Sequence, residues 1–210
     1  DVLRSAGVKQ LEHLFDGRPA VLVAAGPSLE KNIHLLRELE GRAVIIAVDT
    51  ALRLLLPLGI KPDIVTTIDF NQVNFQKFAN VPIDPDISLV YHPGGYYESI
   101  RAFQGPKFTS SHVPNRIPAW LMQYVQDKGG LSSGTTVAHM SFFLARHMGC
   151  NPIAFIGQDL AFPKNQVHAS DLSLWHIDTG DMDTVEDIFG EPVGSMTSFK
   201  HAIYHFEKAF

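Results

Sequence analysis

The sequence predicts an α/β protein with a doubly wound, mostly parallel sheet and helices on both faces. Three observations predict this fold class. Short runs of branched apolar residues recur along the chain, as in strands buried on both faces of a parallel sheet. Segments with apolar residues at helical spacing alternate with these runs. Small, hydroxyl-bearing and acidic residues follow the ends of several runs, where such sheets bind their ligands.

The composition fits one globular domain. The chain has 210 residues, 45% hydrophobic and 19% charged, which is typical of a folded rather than a disordered protein. The net charge of −5 gives no electrostatic support for a nucleic-acid partner or an anionic membrane surface. No apolar run is long enough to span a bilayer, so membrane insertion is not expected. The single cysteine, Cys150, excludes an internal disulfide and favours a reducing, cytoplasmic location.

The apolar periodicity predicts an N-terminal helix over residues 1–17 and one Rossmann-like domain over residues 18–210. The helix would place Val8, Leu11 and Phe15 on one face. Residues 160–196 are loop-rich and acidic. A helical pattern is cut off at residue 210, so we expect the chain to be part of a longer protein.

Six strands and five further helices are predicted within the domain. The strands are expected at 21–25, 43–48, 63–68, 87–91, 107–110 and 153–156. The helices are expected at about 29–39, through 54–56, around Phe75 and Phe78, at 120–125 and at 135–148.

The first strand leads into a glycine turn that is a candidate anion site. Gly26 breaks the apolar run, Pro27 suits the first turn of a helix, and the Ser28 hydroxyl can cap one. A helix N-terminus after such a turn aims free N–H groups and a positive dipole at one point. The turn lacks the lysine of a P-loop and the three glycines of a dinucleotide fingerprint. It is either a different phosphate site or a plain strand–helix corner.

The ends of the later strands carry a second group of candidate ligand contacts. These residues are Asp49, Thr50, Asp69, His92, Gly157, Gln158 and Asp159. Carboxylates at this edge can accept hydrogen bonds from ribose or sugar hydroxyls. Asp49 and Asp69 have two alternative roles, since each is a plausible helix cap and the pair could also hold Mg²⁺.

A hydroxyl-rich turn before the longest predicted helix is the second candidate anion site. It comprises Ser132, Ser133, Gly134 and Thr135, and backbone N–H groups with Ser or Thr hydroxyls can bind a phosphate without a lysine. The alternative is an ordinary N-cap.

Three of these motifs together resemble the Maf-type flagellin glycosyltransferases, bacterial motility accessory factors with a sialyltransferase-like central domain. They are the Gly26 turn with Leu29, the 132–134 turn with its helix, and the segment 157–162 followed by Val167, His168 and Ala169. The resemblance covers about residues 18–210. It implies transfer of a nonulosonic acid, such as pseudaminic or legionaminic acid, from its CMP-activated form to Ser or Thr of flagellin.

The same resemblance implies a nucleotide site and leaves two alternatives. Ser133, Gly134, Gly157 and Asp159 match positions that hold the CMP portion in sialyltransferases. An archaeal pterin diphosphokinase family is similar in the first motif, and that activity would require magnesium. A nucleotide-binding module without catalysis is the third hypothesis. Under the preferred interpretation no cofactor is required, and the partners are a nucleotide sugar and flagellin.

Two histidines are candidates for the base that activates the acceptor hydroxyl. An imidazole near its ordinary pKa suits this role. His168 follows the 157–159 strand end by a short loop and is the first choice, and His92 at another strand end is the second. The His- and Asp-rich stretch from 168 to 187 lacks a compact metal-ligand spacing and is expected to form an acidic lid or an acceptor surface.

Overall fold

A computed structural model of the protein describes residues 2–75, 81–110, 126–132, 134–163, 166, 169 and 183–209. Seven parallel strands form the main sheet, in the order β1-β6-β5-β4-β3-β2-β7, which confirms the predicted fold class. The strands are β1 Ala6–Gly7, β2 Ala20–Val23, β3 Val44–Val48, β4 Ile64–Thr67, β5 Ser88–Tyr91, β6 Lys107–Thr109 and β7 Ile153–Ile156.

The helices alternate with these strands. They are α1 Leu29–Asn32, α2 Leu52–Leu55, α3 Gln72–Phe75, α4 Tyr97–Ala102, α5 Val137–His147 and α6 Thr197–Ala209. Within the described ranges, these helices are continued or connected by four 3-10 segments, Val8–Leu11, Ile33–Leu39, Asp49–Ala51 and Leu56–Leu58. The helix predicted over 29–39 is therefore one α-helical turn followed by a longer 3-10 segment.

Apolar strands at the centre of the sheet are covered on both faces. Every residue of β3 and β4 is buried, as expected for central strands of a parallel sheet that is covered on both faces. One core cluster joins β2 and β3 to α5, and another, around Leu52, Leu89 and Phe103, packs the other part of the sheet. A hydrogen bond of 2.6 Å between the hydroxyls of Thr66 and Ser141 fixes α5 against β4.

The strand order reverses between β2 and β7. From β2 the chain adds β3, β4, β5 and β6 in one direction, and then returns to place β7 on the free side of β2. In open parallel sheets the crevice at such a reversal, at the carboxyl ends of the strands, is where ligands bind. The turns after β2 and β7 both lie at this point.

The chain after the sheet contains more regular structure than the sequence predicted. An antiparallel pair, β8 Asp183–Glu186 and β9 Pro192–Ser195, lies within the stretch expected to be loop-rich. The base of this hairpin is attached near the reversal point, because the Phe162 N–H donates to the Gly194 carbonyl at 2.7 Å. Rings of Phe142, Phe155 and Phe206 join α5, β7 and α6.

The prediction of an N-terminal helix over 1–17 is wrong. Ala6 and Gly7 pair with β6 as an edge strand, and His13 adopts a left-handed φ of 57° that no α-helix accommodates. Backbone N–H groups of His13 and Phe15 donate instead to the carbonyls of His147 and Met148, at the C-terminal end of α5. These bonds satisfy carbonyl groups at the end of α5. They take the place of the intrahelical hydrogen bonds that the predicted helix would have formed.

Several predictions fall on residues outside the described ranges. These are Ser133, His168, the helix at 120–125, Phe78 and most of the acidic stretch that follows His168. Within the part of the chain that the structure describes, no helix has the length and apolarity needed to cross a membrane.

Candidate functional site

A cleft of about 210 Å³ lies at the strand-order reversal. Its walls come from the residues that follow β2, β3, β4 and β7, from the first turn of α5 and from Phe199 of α6. The lining residues that the sequence analysis had singled out are Gly26, Asp49, Thr50, Asp69, Gly157, Gln158 and Asp159. The structure therefore brings polar ends of four strands to one place.

The glycine turn after β2 is packed against Asp159. The Gly26 N–H donates to the Gly157 carbonyl at 2.9 Å, and the Ser28 N–H donates to Oδ2 of Asp159 at 3.0 Å. A Cβ at Gly26 would overlap the Asp159 carboxylate and lie 2.6 Å from the Gly157 carbonyl oxygen. Glycine is required here by this contact between the two turns, before any ligand is considered.

This packing changes the interpretation of the glycine turn. The sequence predicted that its N–H groups would face a bound anion, but the N–H groups of Gly26 and Ser28 already bond to Gly157 and Asp159, and Pro27 has none. The anion at this turn is the protein's own Asp159 carboxylate. The helix that follows, α1, has only four residues.

Asp49 is buried and held by the protein. It is 2% exposed, and its carboxylate accepts the Thr67 hydroxyl at 2.6 Å and the Thr50 N–H at 2.7 Å. Asp49 is the first residue of the 3-10 segment after β3, whose N-cap is Val48 without a side-chain capping bond, so the capping alternative weighed for Asp49 is wrong. Its contacts fix Thr50 and Thr67 at the ends of β3 and β4.

Asp69 and His92 differ in their relation to the cleft. Asp69 lies in the cleft wall, and its backbone carbonyl accepts the Tyr96 N–H at 2.8 Å. His92 is half-buried outside that wall, and its Nδ1 accepts the Gly94 N–H at 3.1 Å. Burial lowers the pKa of the His92 imidazole, so the neutral form with its proton on Nε2 is favoured.

At the second candidate anion site, the first residues of α5 line the cleft, and the turn before that helix does not. Thr136 is the N-cap of α5, and its hydroxyl accepts the His139 N–H at 3.3 Å. Thr136, Val137 and Ala138 form part of the cleft wall. The first backbone N–H groups of a helix have no intrahelical acceptor, and those of Val137 and Ala138 bond to no other described residue, so they could bind a ligand.

The turn before α5 lies outside the cleft wall and has an internal hydrogen bond of its own. The Gly134 N–H donates to the Ser132 hydroxyl at 3.3 Å, and Gly134 has a left-handed φ of 56°. Ser132, Gly134 and Thr135 are exposed residues that do not line the cleft.

Gln158, one of the predicted ligand contacts, lines the cleft, and His139 lies behind its wall. Oε1 of Gln158 is buried in the cleft wall without a hydrogen-bond partner among the described residues, which marks an acceptor that a ligand could satisfy. His139 was not among the residues predicted from the sequence. Its ring is wholly buried and bonds to both Thr136 and the Ala202 carbonyl.

Comparison with solved structures supports the fold and agrees with the motif resemblance. The structure of MAf glycosyltransferase from Magnetospirillum magneticum AMB-1 is similar to this chain with a TM-score of 0.69 and 20% sequence identity. The match covers 92% of this chain and 32% of that one, so the chain spans about a third of that protein's length. At this identity the likeness shows the fold. No curated protein sequence matches the chain.

A family model assigns the chain more directly. The family described as 6-hydroxymethylpterin diphosphokinase MptE-like matches residues 1–165, which contain the whole main sheet and all of the strand ends around the cleft. Because this match covers well over half of the sequence, the chain belongs to the 6-hydroxymethylpterin diphosphokinase MptE-like family.

Proposed function

We propose that this chain is the donor-binding core of a glycosyltransferase that moves a nonulosonic acid from CMP to a Ser or Thr hydroxyl of flagellin. The observation that carries the proposal is the cleft at the strand-order reversal, into which the first turn of α5 opens. The Maf-type fold and the three motifs of the sequence support it. The protein is expected to act in the cytoplasm, where CMP-activated sugars would reach it.

The phosphate of CMP would lie at the N-terminus of α5. Val137 and Ala138 line this side of the cleft, and α5 is long enough, at 11 residues, to place a positive dipole end there. These groups would stabilise the charge that develops on the phosphate as its bond to the sugar breaks. Gln158 would accept a hydrogen bond from the nucleoside or the sugar through its unpartnered Oε1.

In the transfer step the acceptor hydroxyl oxygen would bond to the anomeric carbon of the sugar. The bond between that carbon and the phosphate oxygen breaks, CMP leaves with the electron pair, and a base takes the hydroxyl proton. His92 has its Nδ1 bonded to the Gly94 N–H, which leaves a protonated Nε2 in the neutral ring. That state donates rather than accepts, so His168 remains the first choice for the base.

The family name favours a second candidate, a pterin diphosphokinase that uses ATP and magnesium. Asp49 and Asp69 would then hold the metal. The burial of Asp49 favours the first candidate, because a carboxylate that is 2% exposed and already accepts the Thr67 hydroxyl and the Thr50 N–H offers little room for a hydrated metal ion. We therefore propose that donor binding needs no divalent metal.

Calorimetric titration of the chain with CMP and with ATP separates the two candidates. We expect CMP to bind with the same affinity in EDTA and in magnesium, and ATP to bind more weakly under both conditions. ATP binding that requires magnesium, with CMP not bound, would instead support the diphosphokinase. Release of CMP from a CMP-nonulosonic acid, with and without flagellin, then tests transfer.

A further inference from the structure

The most completely enclosed titratable side chain near the cleft is His139. Its ring is 0% exposed, and the catalytic proposal makes no use of it. It lies on α5, two residues after Val137, between the turn at 134–136 and helix α6. A polar side chain is buried only where hydrogen bonds repay the loss of water, so its contacts indicate what it supports.

One edge of the ring holds the turn that begins α5. Nδ1 lies 2.9 Å from the Thr136 hydroxyl and 3.4 Å from the Thr135 hydroxyl. Gly134 is pressed against the same side chain, since a Cβ there would lie 2.7 Å from Cγ of His139. The backbone N–H of His139 completes the cap by donating to the Thr136 hydroxyl at 3.3 Å.

The other edge of the ring holds α6. Nε2 lies 3.2 Å from the Ala202 carbonyl oxygen, and the ring stacks on Phe206 with centroids 3.8 Å apart and planes at 16°. His205, also on α6, is the titratable side chain whose ring approaches it, at 6.1 Å. The same helix supplies Phe199 to the cleft wall.

These partners fix the protonation pattern of the ring. The Ala202 carbonyl can only accept, so Nε2 carries the proton, and Nδ1 of the neutral ring is an acceptor. The Thr136 hydroxyl therefore donates to Nδ1 while it accepts the His139 N–H. His139 thus provides both the acceptor and the donor for the hydroxyl of the N-cap residue Thr136.

From these contacts we propose that His139 is a positioning residue for nucleotide binding. By fixing Thr136, it sets the direction of the Val137 and Ala138 N–H groups. Its bond to Ala202 packs α6 against α5 and is not needed to position the phosphate. The proposal rests on the proposed function to the extent that the ligand is a nucleotide with its phosphate at α5. His139 does not touch the phosphate in this proposal; it holds Thr136, which positions the N–H groups that bind the phosphate.

Three substitutions at His139 test the hydrogen bonds of its two ring nitrogens separately. His139→Asn keeps an acceptor oxygen at the place of Nδ1 and loses the bond to Ala202. His139→Gln keeps a donor at the place of Nε2 and loses the bond to Thr136. His139→Phe keeps the stack on Phe206 and loses both bonds. Each variant is titrated with CMP and with cytidine, after circular dichroism and thermal unfolding have established that it is folded.

We expect His139→Gln and His139→Phe to bind CMP about tenfold more weakly, the loss of roughly one hydrogen bond, and His139→Asn to stay within about threefold of the original protein. Cytidine affinity should be nearly equal in all four proteins, because cytidine has no phosphate. Equal losses for CMP and cytidine, or a loss in His139→Asn as large as in His139→Phe, would overturn the proposal.

Failure of the proposed function is distinguishable in the same titrations. If the unsubstituted chain binds ATP and does not bind CMP, the proposed donor is wrong, and the series is measured with ATP and adenosine with the same expectations for His139. If neither nucleotide binds the unsubstituted chain, both proposals are overturned.

Discussion

At the scale of single residues, Gly26 and Asp159 pack against each other in the structure, and both were predicted to contact a nucleotide. The sequence identified both residues as nucleotide contacts, from a glycine turn and a strand end. It gave no means of seeing that the Asp159 carboxylate would itself accept the Ser28 N–H, because 131 residues separate the two. The position of both residues at the cleft was predictable from the carboxyl ends of parallel strands.

Substitution of Gly26 by alanine should therefore destabilise the chain. A Cβ would overlap the Asp159 carboxylate, and relieving that overlap should lower the free energy of unfolding by about 1–3 kcal/mol, as for other overpacked sites. Urea unfolding measures the change. Gly130→Ala is the matched control, because a Cβ there would have no neighbour within 4 Å.

The role of Asp159 in this effect is tested by repeating the substitution in an Asp159→Ala background. The cost of Gly26→Ala should shrink there, although the Gly157 carbonyl at 2.6 Å from the new Cβ keeps part of it. An unchanged cost in both backgrounds would mean that Asp159 does not occupy the space beside Gly26.

At the scale of secondary-structure elements, predictions succeeded where local sequence decides the element. The runs of β3 and β4 and the long helix α5 were found because an apolar run or a 3.6-residue period is visible in the sequence itself. Residues 1–17 have an apolar spacing too, but the N–H groups of His13 and Phe15 bond to the carbonyls of His147 and Met148 at the end of α5, far away in the chain. The hairpin of β8 and β9 is short and mostly polar, so it carried no comparable signal.

The first turn of α5 allows a test of its backbone donors. Proline is well tolerated at the first position of a helix, and Thr136, with φ −139° and ψ 161°, already has the extended backbone that proline requires before it. Val137→Pro thus removes one N–H and leaves the helix intact. We expect CMP affinity to fall at least about tenfold relative to Val137→Ala, which keeps the N–H, because the lost bond is to a charged group.

The titration of cytidine is the control for this pair of variants. Its affinity should be the same in Val137→Pro and Val137→Ala. Equal CMP affinity in the two folded variants would place the phosphate away from the Val137 N–H.

The packing of α5 against α6 predicts how stability depends on pH. Burial lowers the pKa of His139 from its ordinary 6.5, with a further lowering by His205 and an opposing effect of the bond to Ala202. Burial lowers the pKa of His92 as well. As the pH falls below about 6.5, the unfolded chain binds protons that the folded chain does not, so the free energy of unfolding decreases.

Urea unfolding at pH 7.5 and at pH 5.5 measures this dependence. His139→Asn removes one of the two groups, so the decrease between these pH values should be smaller in that variant than in the original chain. Carboxylates stay ionised in both conditions and contribute little to the difference. An equal decrease in the two proteins would show that His139 titrates alike in the folded and unfolded states.

At the scale of the whole molecule, the position of the cleft follows from the strand order. The sequence predicted a parallel sheet and polar strand ends, but not which strands are neighbours. The placement of β7 beside β2 brings Gly157 to Gly26, and the cleft lies at the carboxyl ends of these strands. Spatial order of this kind depends on packing across the whole sheet, which local periodicity does not encode.

The location of the phosphate is the central claim, and a crystal structure of the chain with CMP tests it most directly. We predict the phosphate oxygens within about 3 Å of the Val137 and Ala138 nitrogens, the length of an ordinary hydrogen bond, with Asp159 still bonded to the Ser28 N–H. A phosphate bound at the turn formed by Gly26, Pro27 and Ser28, with Asp159 displaced, or CMP bound outside the cleft, would contradict the account.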